Sequence, residues 1–396
     1  MTPAAATGVD RIGALLTARV EANERFFTAE ADRLARLCHA MAERFARGGR
    51  LLAFGASAVD GSDARHVAVE FVHPVIVGKR ALPALALPPA EVALIARVDD
   101  IAIAFGEGPA VQQAVRDAAD VGCLTLAFTR VGAAWELVPG TDDPFVAQEL
   151  AETAYHVLWE LVHVFFEHRG LLEGRDAAPV HDTGASSFLY PFLAEREDDL
   201  EAVLDDVRAS ALLKAQEISA LRRQTLTDAQ DELLAAAGTL RACLDAGGTV
   251  LALGNGGSAT DAMDAVADLR VPPAQRRWPA RRALDLTADP AILTAIANDI
   301  GTEALFARQV IAYGGSGDAL LALSTSGSSL NVIAALAEAR RRGLATIALV
   351  GYDGGRIAAE RLADHVVVTR SEHIPRIQEA QASAWHVLRE LLEEGG

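Results

Sequence analysis

The sequence predicts an α/β protein with two tandem domains, each a doubly wound, mostly parallel β-sheet flanked by helices. Short apolar runs alternate with segments of helical periodicity through most of the chain, which is typical of βαβ units. The second half of the chain also repeats the order of these segments in the first half. Because βαβ crossovers are right-handed and place helices on both faces of a sheet, these two observations predict one parallel sheet per half.

The internal repeat is clearest at the first predicted strand of each half. Residues 47–55 read RGGRLLAFG and residues 246–254 read AGGTVLALG, and each run follows a long helical pattern. The later segments match in the same order: 81–88 with 281–288, 99–105 with 318–324, 118–128 with 340–350, and 146–161 with 376–391. A repeat of this length predicts domains at 1–169 and 199–396, joined by a linker at 170–198 that gains Gly, Pro, Asp and Ser.

Composition and charge restrict the function classes. The 396 residues include 54 acidic and 36 basic side chains, and the net charge of −18 argues against nonspecific binding to nucleic acid or anionic membranes. Three scattered cysteines, Cys38, Cys123 and Cys243, cannot form a disulfide framework or a thiolate zinc site, which indicates a reducing compartment. No targeting segment or membrane-spanning run is visible, so we expect a cytoplasmic protein.

Two polar loops in the second half follow predicted strands. The run Gly254-Asn255-Gly256-Gly257-Ser258 lies between a strand and a helix, a geometry that offers backbone N–H groups to an anion. It is neither a Walker loop nor G-x-G-x-x-G, and a tight turn alone would also explain it. The loop 324–329 places five hydroxylated residues around Gly327, more than helix capping requires. Because both loops follow strands, they predict a phosphate site at the carboxyl edge of the sheet.

A family resemblance follows from motifs in the same half. GNGGS-x-x-DA, AIANDIG, FARQV, LSTSGSSLNVIAA, LVGYDGG and RIQEAQASAWHVL, in this order, resemble the sedoheptulose-7-phosphate isomerase (phosphoheptose isomerase) family of the sugar isomerase (SIS) domain class. The resemblance covers nearly all of residues 200–396, implies two tandem SIS domains, and makes His386 the catalytic histidine. It also implies sugar-phosphate contacts from Asn255, Gly256, Gly257, Ser258, Asn298, Asp299, Ser324, Thr325, Ser326, Ser329 and Gln378.

The second half departs from this family at the positions that carry the chemistry. The family's glycine-loop helix has His and, four residues later, Glu, where this chain has Asp264 and Asp268. Asp268 remains a candidate base on a shorter stem. Asp264 replaces an imidazole metal ligand with a harder oxygen ligand, which weakens a zinc site. We therefore expect this half to bind phosphate and to be incomplete as a catalyst.

The first half shows the opposite pattern. Its counterpart loops, GASAVDGS and FGEGPA, lack the Asn-Gly-Gly run and most of the hydroxyls, and Glu107 would repel a phosphate. By the resemblance, this half nevertheless keeps the family's zinc ligands: His66, Glu70, Gln148 and His156. Imidazole, carboxylate and amide oxygen atoms suit zinc. His163 and His168 match no family motif and are expected at the surface or at a helix end.

These complementary losses predict a shared reaction. We expect an aldose–ketose isomerase acting on a sugar phosphate, with sedoheptulose 7-phosphate and a heptose 7-phosphate as the substrate pair. Glu70, with Asp268 as a second candidate, would move a proton between C1 and C2 through an enediol, and His156 or His386 would act as the acid. Zinc is the expected cofactor, and no nucleotide or redox cofactor is expected.

Family sites lie at subunit interfaces, so we expect the two halves to form one composite site. Two chains would then pair as a homodimer that mimics a tetramer of SIS domains. The alternative is an inactive sugar-phosphate-binding SIS protein that acts as a sensor or a scaffold for a partner protein. Asp264, Asp268 and the FGEGPA loop favour that alternative, whereas the retained zinc ligands favour an enzyme.

Overall fold

A computed structural model describes residues 8–75, 79–167, 172 and 199–393. The predicted linker therefore lies outside the described residues, apart from Leu172. The chain forms two compact units, each assembled from separate stretches of sequence. The C-terminal unit comprises Met1–Glu21, Asp143–Glu149 and Glu217–Gly396, and the N-terminal unit comprises Ala22–Asp142 and Leu150–Gln216.

Three long helices contribute residues to both units. They are α1 (Gly8–Ala46), α5 (Pro144–Glu167) and α6 (Leu200–Asp228). As a result, the start of α1 and the start of α5, both from the first half of the sequence, belong to the C-terminal unit. The sequence-based boundaries treat each domain as one continuous stretch, and those boundaries stay a prediction.

The N-terminal unit contains a five-stranded sheet in the order β2-β1-β3-β4-β5, and all neighbouring strands are parallel. Its strands are β1 (Leu51–Gly55), β2 (Ala84–Leu87), β3 (Ile101–Phe105), β4 (Leu124–Ala127) and β5 (Trp135–Glu136). The connections carry α2 (Ala58–Val72), a 3-10 turn at Pro89–Glu91, α3 (Val92–Ile95) and α4 (Pro109–Val121). In the register, Leu51 pairs with Ala84 on one side and with Ile101 on the other.

The C-terminal unit contains a second parallel sheet, in the order β10-β9-β8-β6-β7. Its strands are β6 (Val250–Leu253), β7 (Ala283–Asp285), β8 (Ala319–Ser324), β9 (Ala345–Val350) and β10 (His365–Val368). Its helices are α7 (Gln230–Asp245), α8 (Gly257–Arg270), α9 (Pro290–Asp299), α10 (Leu305–Tyr313), α11 (Leu330–Arg341), α12 (Gly355–Ala359) and α13 (Ile374–Glu393), with a 3-10 turn at Thr302–Ala304.

Both sheets have the same strand order when each is numbered from its own first strand, namely 2-1-3-4-5. This confirms the predicted fold class of two doubly wound parallel sheets flanked by helices. In such a sheet the strand order reverses between the first and third strands, and ligands bind in the crevice beyond their carboxyl ends. In the C-terminal unit that point lies between β6 and β8, which precede the two polar loops.

The sheet of the C-terminal unit is buried on both faces, as a helix-covered parallel sheet requires. Val250 and Ala252 of β6 belong to one apolar cluster with α7, α8 and α13, whereas Leu251 and Leu253 belong to another with α10 and α11. All four side chains are fully buried. Truncating one such leucine to alanine typically costs about 2–5 kcal/mol, so the strands that carry the loops are firmly held.

None of the described helices combines the length and apolar content that a membrane span requires.

Candidate functional site

The hydroxyl loop, residues 324–329, connects β8 to α11 in the C-terminal unit. The hydroxyl of Ser329 lies 3.4 Å from the hydroxyls of Ser324 and Ser326, so three hydroxyl groups converge. Ser329 occupies the cap position of α11 but makes no side-chain capping bond, and the backbone N–H of Gly327 donates to Ser324 Oγ over 3.2 Å. An uncharged cluster of donors at a helix N-terminus is suited to an anion.

The glycine loop, residues 254–258, is tied to the hydroxyl loop by a pair of amides. Asn255 Nδ2 donates to Asn331 Oδ1 over 3.0 Å, and Asn331 Nδ2 donates back to Asn255 Oδ1 over 2.9 Å. Asn255 was predicted as a site residue, whereas Asn331, on the first turn of α11, was missed. Its signal was present, because the predicted motif LSTSGSSLNVIAA contains it. This reciprocal pair fixes the two loops side by side.

Glycine is required by geometry in both loops. Gly327 has φ +59°, and a Cβ there would lie 2.2 Å from the carbonyl oxygen of Gly354. A Cβ on Gly254 would lie 2.1 Å from the carbonyl oxygen of Ser258. Neither position can hold a larger residue without a backbone shift, because real Cβ contacts of that length do not occur. Glycine is therefore needed at both positions because neighbouring backbone atoms approach closely, and not because the loops must be flexible.

An open cavity of about 560 Å³ adjoins the hydroxyl loop. Its charged lining is mixed, with one cation and two carboxylates, and the lining residues are Ser326, Ser328, Tyr352, Asp353, Gly355, Arg370, Ser371 and Glu372. Tyr352 has φ +52°, a backbone conformation that non-glycine residues seldom adopt. Cavities of roughly 300–1,000 Å³ accommodate small metabolites, so the loop has room beside it for the rest of a phosphorylated ligand.

The other residues predicted to contact the sugar phosphate differ in their surroundings, since some are buried and others are exposed. Ser258 and Gln378 are buried, on α8 and α13 respectively, and Thr325 is half-buried in the hydroxyl loop. Asn298 and Asp299 are exposed at the end of α9, where Asn298 Nδ2 donates to Asp299 Oδ1 over 2.8 Å. The structure thus brings the two loops together and leaves the Asn298–Asp299 pair at the surface.

A buried acid–base cluster surrounds His386 in the C-terminal unit. His386 Nδ1 lies 2.8 Å from Glu149 Oε1, and His386 Nε2 lies 3.7 Å from Asp268 Oδ2. Asp268 Oδ2 also accepts a hydrogen bond from Trp385 Nε1 over 2.9 Å. The ring of Phe145 stacks on the imidazole, with 4.5 Å between ring centroids and 12° between planes. Asp268 and His386 were predicted as catalytic residues, and Glu149 was not.

The charges of this cluster oppose the effect of burial. Burial disfavours a charged imidazole, but the hydrogen bond and charge of Glu149 raise the pKa of His386. Burial likewise disfavours the Glu149 carboxylate, yet the Arg19 guanidinium and His386 hold the pKa of Glu149 well below its usual range. For Asp268 burial dominates and raises its pKa, against the lowering influence of His386.

A second cluster, which we name the His66 trio, lies in the N-terminal unit and consists of His66, Glu70 and His156. One ligand atom from each side chain lies within 4.8 Å of the other two, and all three residues are buried. His66 Nε2 is 4.0 Å from Glu70 Oε1, and the rings of His66 and His156 have centroids 5.0 Å apart. The helix α2 supplies His66 and Glu70, and α5 supplies His156; the resemblance implied these three residues as zinc ligands, and that role stays a prediction.

The electrostatics of the His66 trio differ from those around His386. Burial raises the pKa of Glu70 to about 7, with a further raising effect from Glu160 and a lowering one from His156. Burial and the neighbouring His156 lower the pKa of His66 well below its ordinary value. A neutral imidazole is the form that binds a metal ion, and a carboxyl group must lose its proton before it can bind one or act as a general base.

The fourth predicted zinc ligand, Gln148, is half-buried and belongs to the C-terminal unit, whereas the trio belongs to the N-terminal unit. His163 was expected at the surface or at a helix end, and this expectation was wrong. His163 is buried, and its ring nitrogens contact the carbonyl oxygens of Trp159 at 2.8 Å and Arg80 at 3.0 Å. Burial lowers the pKa of His163 to about 4, and a neutral imidazole has one N–H, so the ring donates to one of these two carbonyl oxygens. His168 lies outside the described residues.

In the N-terminal unit, the loop before α2 satisfies its own backbone N–H groups with its own side chains. Ser57 and Asp60 form a capping box at the start of α2, with Asp60 N donating to Ser57 Oγ and Ser57 N donating to Asp60 Oδ2. The same carboxylate lies against Gly106, where a Cβ would meet Asp60 Oδ2 at 2.2 Å. A carboxylate of the chain itself therefore occupies the helix N-terminus that a phosphate would need.

The donor set of the His66 trio fits a zinc-like ion. Two imidazoles and one carboxylate are ligand types that zinc prefers. Glu70 Oε2 is buried and has no hydrogen-bond partner among the described residues, which is costly unless another group satisfies it. The trio therefore provides three ligands and one unsatisfied buried oxygen in one place.

Comparisons with known proteins assign the family. A model described as SIS domain matches residues 215–351. The phosphoheptose isomerase of Thermodesulfovibrio yellowstonii is 44% identical over 151 residues, which are 38% of this chain and 74% of that protein. The phosphoheptose isomerase of Laribacter hongkongensis is 46% identical over 154 residues, 39% of this chain and 78% of that protein.

The chain belongs to the phosphoheptose isomerase family.

Solved structures extend the likeness beyond the part that sequence identity covers. Tagatose-6-phosphate ketose/aldose isomerase from Escherichia coli matches 100% of this chain and 97% of its own chain, with a TM-score of 0.57 and 16% identity. At that identity the likeness is one of fold, and it agrees with two SIS domains along the whole chain. The predicted resemblance to the phosphoheptose isomerase family is confirmed.

Proposed function

We propose that the protein isomerises a sugar phosphate between its ketose and aldose forms, with sedoheptulose 7-phosphate and a heptose 7-phosphate as the pair. Membership of the phosphoheptose isomerase family supports the coarse activity, a sugar-phosphate isomerase. The observation that carries the proposal is the His66 trio, because three buried groups suited to acid–base and metal chemistry lie within 4.8 Å of one another. The specific sugar rests on the family assignment.

The chemistry is a proton transfer between C1 and C2 through an enediol. Glu70 is the base, because its buried carboxylate lies beside His66 and can both accept a proton and return it. Its Oε2 atom, which lacks a hydrogen-bond partner among the described residues, is the atom that takes the proton. His156 in the N-terminal unit, or His386 in the C-terminal unit, supplies the proton to the oxygen, and Asp268 is the second candidate base.

The ligands proposed for zinc are His66, Glu70 and His156, with Gln148 as the fourth ligand expected from the sequence. When bound, the ion would polarise the oxygen next to the reacting carbon. The phosphate group is proposed to bind at the hydroxyl loop, where Ser324, Ser326 and Ser329 converge. A held phosphate positions the reacting end of the chain, which lowers the entropic part of the barrier.

Catalytic inactivity is the second candidate, and the surroundings of Asp268 favour it. This carboxylate is buried, accepts from Trp385, and lies 3.7 Å from an imidazole that Glu149 already engages. Such a cluster resembles an internal ion network more than an open catalytic group. A protein that binds sugar phosphates and signals to a partner would need only the two loops of the C-terminal unit.

Turnover of sedoheptulose 7-phosphate by the full chain separates the two candidates. We expect isomerisation that a chelator abolishes and added zinc restores, and about one zinc ion per chain by elemental analysis. His66→Ala should lose both the ion and the turnover, whereas His73→Ala, at an exposed position after α2, should keep both. Binding of the sugar phosphate without turnover, in protein shown to hold zinc, would contradict the proposed enzyme and support the sensor.

A further inference from the structure

We propose that Glu149 is a positioning residue for His386: it fixes the ring with the proton on Nδ1 and presents Nε2 on the side of Asp268. The inference rests on the proposed function in one respect, namely that His386 serves as an acid. It adds a residue that the sequence analysis did not contain. Glu149 lies on α5, in the first half of the sequence, 237 positions before His386, and both belong to the C-terminal unit.

The contacts of Glu149 determine its own protonation state. Glu149 Oε1 accepts from Arg19 Nε over 2.9 Å and from His386 Nδ1 over 2.8 Å. Glu149 Oε2 accepts from Ser383 Oγ over 2.5 Å, and Ser383 Oγ in turn accepts from Arg222 Nε over 2.8 Å. Two arginines and a hydroxyl therefore surround a buried carboxylate, an arrangement that only the ionised form satisfies.

An ionised Glu149 determines the tautomer of the imidazole. A carboxylate has no proton to give, so His386 Nδ1 must be the donor across the 2.8 Å contact. The proton that the ring exchanges is then carried on Nε2, the atom that lies 3.7 Å from Asp268 Oδ2. Carboxylates that orient a histidine in this way are a common means of fixing ring direction and basicity.

The orientation of the ring is fixed by a second contact. Phe145, one turn before Glu149 on α5, stacks on the imidazole with ring planes 12° apart. The ring of His386 is therefore held in its plane by Glu149 and from one face by Phe145. Both groups come from α5, so this single helix sets how the imidazole is presented within the C-terminal unit.

The tautomer is tested directly by nitrogen NMR of imidazole-labelled, full-length wild-type protein, with the His386 signals assigned from a His386→Gln variant. We expect a proton on Nδ1 of His386 that persists in the neutral ring. A neutral ring with the proton on Nε2 and a bare Nδ1 would overturn the assignment. This measurement needs no activity, so it decides on Glu149 even if the wild type fails to turn over sedoheptulose 7-phosphate, an outcome that would count against the proposed function alone.

Kinetics test the consequence for His386. Glu149→Gln should lower kcat about 10- to 100-fold with KM changed less than about threefold, and Glu149→Asp, which keeps the charge, should recover part of the loss. The matched control is Glu390→Gln. It removes a buried carboxylate of the same unit that contacts Arg11 and Arg276 and lies 3.8 Å from Arg19. Glu390→Gln therefore perturbs the arginine that Glu149 also binds, but among the described contacts Glu390 does not touch His386.

Equal losses in kcat for Glu149→Gln and Glu390→Gln would overturn the positioning role. If Glu149→Gln does not fold, Ser383→Ala takes its place, because it removes one donor from Glu149 and keeps the contact with Arg19, although Arg222 Nε also loses its acceptor. We then expect a smaller loss in kcat, about two- to tenfold, with an altered His386 Nδ1 signal. An unchanged signal and unchanged kcat would contradict the proposal.

Discussion

The two units place a buried glutamate beside a buried histidine, and they do so with opposite electrostatics. Glu149 lies beside His386 and accepts from Arg19, with Arg222 close by, so its pKa is held low. Glu70 lies beside His66, no arginine or lysine of the described residues pairs with it, and burial raises its pKa to about 7. Both lysines of the chain instead contact Glu160: Lys214 pairs with its carboxylate and Lys79 donates to its carbonyl oxygen. The same two residue types therefore form a pair with an ionised carboxylate in one unit and a pair with a carboxyl group that burial favours in its protonated form in the other.

The loops that precede helices also differ between the two units, and here the C-terminal unit is the one that leaves its hydroxyl groups available to an anion. In the C-terminal unit, Ser329 leaves its helix uncapped and joins two other hydroxyls. In the N-terminal unit, Asp60 caps α2 and lies against Gly106, so a carboxylate takes the place of an anion. The complementary losses that the sequence predicted would therefore leave the phosphate site to the C-terminal unit and the acid–base chemistry to the N-terminal unit, and this division stays a prediction.

The largest expected effect tests which glutamate is the base. Glu70→Gln should lower kcat by about 10²- to 10⁴-fold, because the amide cannot accept the proton. The matched control, Glu91→Gln at an exposed position of the same unit, should leave kcat unchanged. Steady-state turnover with added zinc measures both. Full activity in Glu70→Gln would indicate that Asp268 is the base, and it would contradict the proposed difference between the two units.

The opposite pKa shifts predict opposite pH dependences of stability. In metal-free protein, folded Glu70 keeps its proton until about pH 7, whereas the unfolded chain releases it near pH 4.5. The unfolded state then binds fewer protons, so the free energy of unfolding falls by roughly 3 kcal/mol as the pH rises through this window. Urea unfolding of wild type and Glu70→Gln across the window should show this fall only in the wild type.

Glu149 should show the reverse sign. Its pKa is lower in the folded state than in the unfolded chain, so its stabilising contribution is present above the unfolded value and is lost as the pH falls. Wild type should therefore lose its advantage over Glu149→Gln on acidification. Parallel pH profiles for the two glutamate variants would contradict the electrostatic contrast.

A smaller effect tests the rigidity of the hydroxyl loop. Gly327→Ala should lower the free energy of unfolding by about 1–3 kcal/mol and abolish phosphate binding, because of the positive φ and the contact with Gly354. Gly315→Ala is the matched control, since its Cβ would meet only Asp318 Oδ2 at 3.7 Å. Thermal and urea unfolding, with and without inorganic phosphate, measure the difference. Equal behaviour of the two variants would show that the loop adapts.

The sequence predicted the parts of this structure that depend on local pattern. Apolar runs such as LLAFG and LLALS became central strands, and the i, i+4 spacing of His66 and Glu70 placed them on one face of α2. The two-residue strand β5, Trp135–Glu136, has no apolar run to reveal it. Likewise, nothing local in the sequence indicates that α1 and α5 contribute to the C-terminal unit.

The candidate site was predictable only where a motif carries it. The hydroxyl loop and the His66 trio followed from spacing and from family resemblance. Glu149 could not be found in that way, because its partners Arg19, Ser383 and His386 lie 130, 234 and 237 positions away. Asp60 could not be singled out from the sequence, because an acidic residue near the start of a helix is common. Only its contact with Gly106 in the structure shows that its carboxylate lies where a phosphate would otherwise bind.

The central claim is the division of labour between the two units, and ligand binding tests it most directly. The probe is the 7-phosphate of the heptitol that corresponds to sedoheptulose, which lacks the carbonyl and cannot isomerise. Isothermal titration should show affinity weakened about 10- to 100-fold in Ser326→Ala, unchanged in the exposed control Ser316→Ala, and changed less than about threefold in Glu70→Gln. Weakened binding in Glu70→Gln with full affinity in Ser326→Ala would contradict the account.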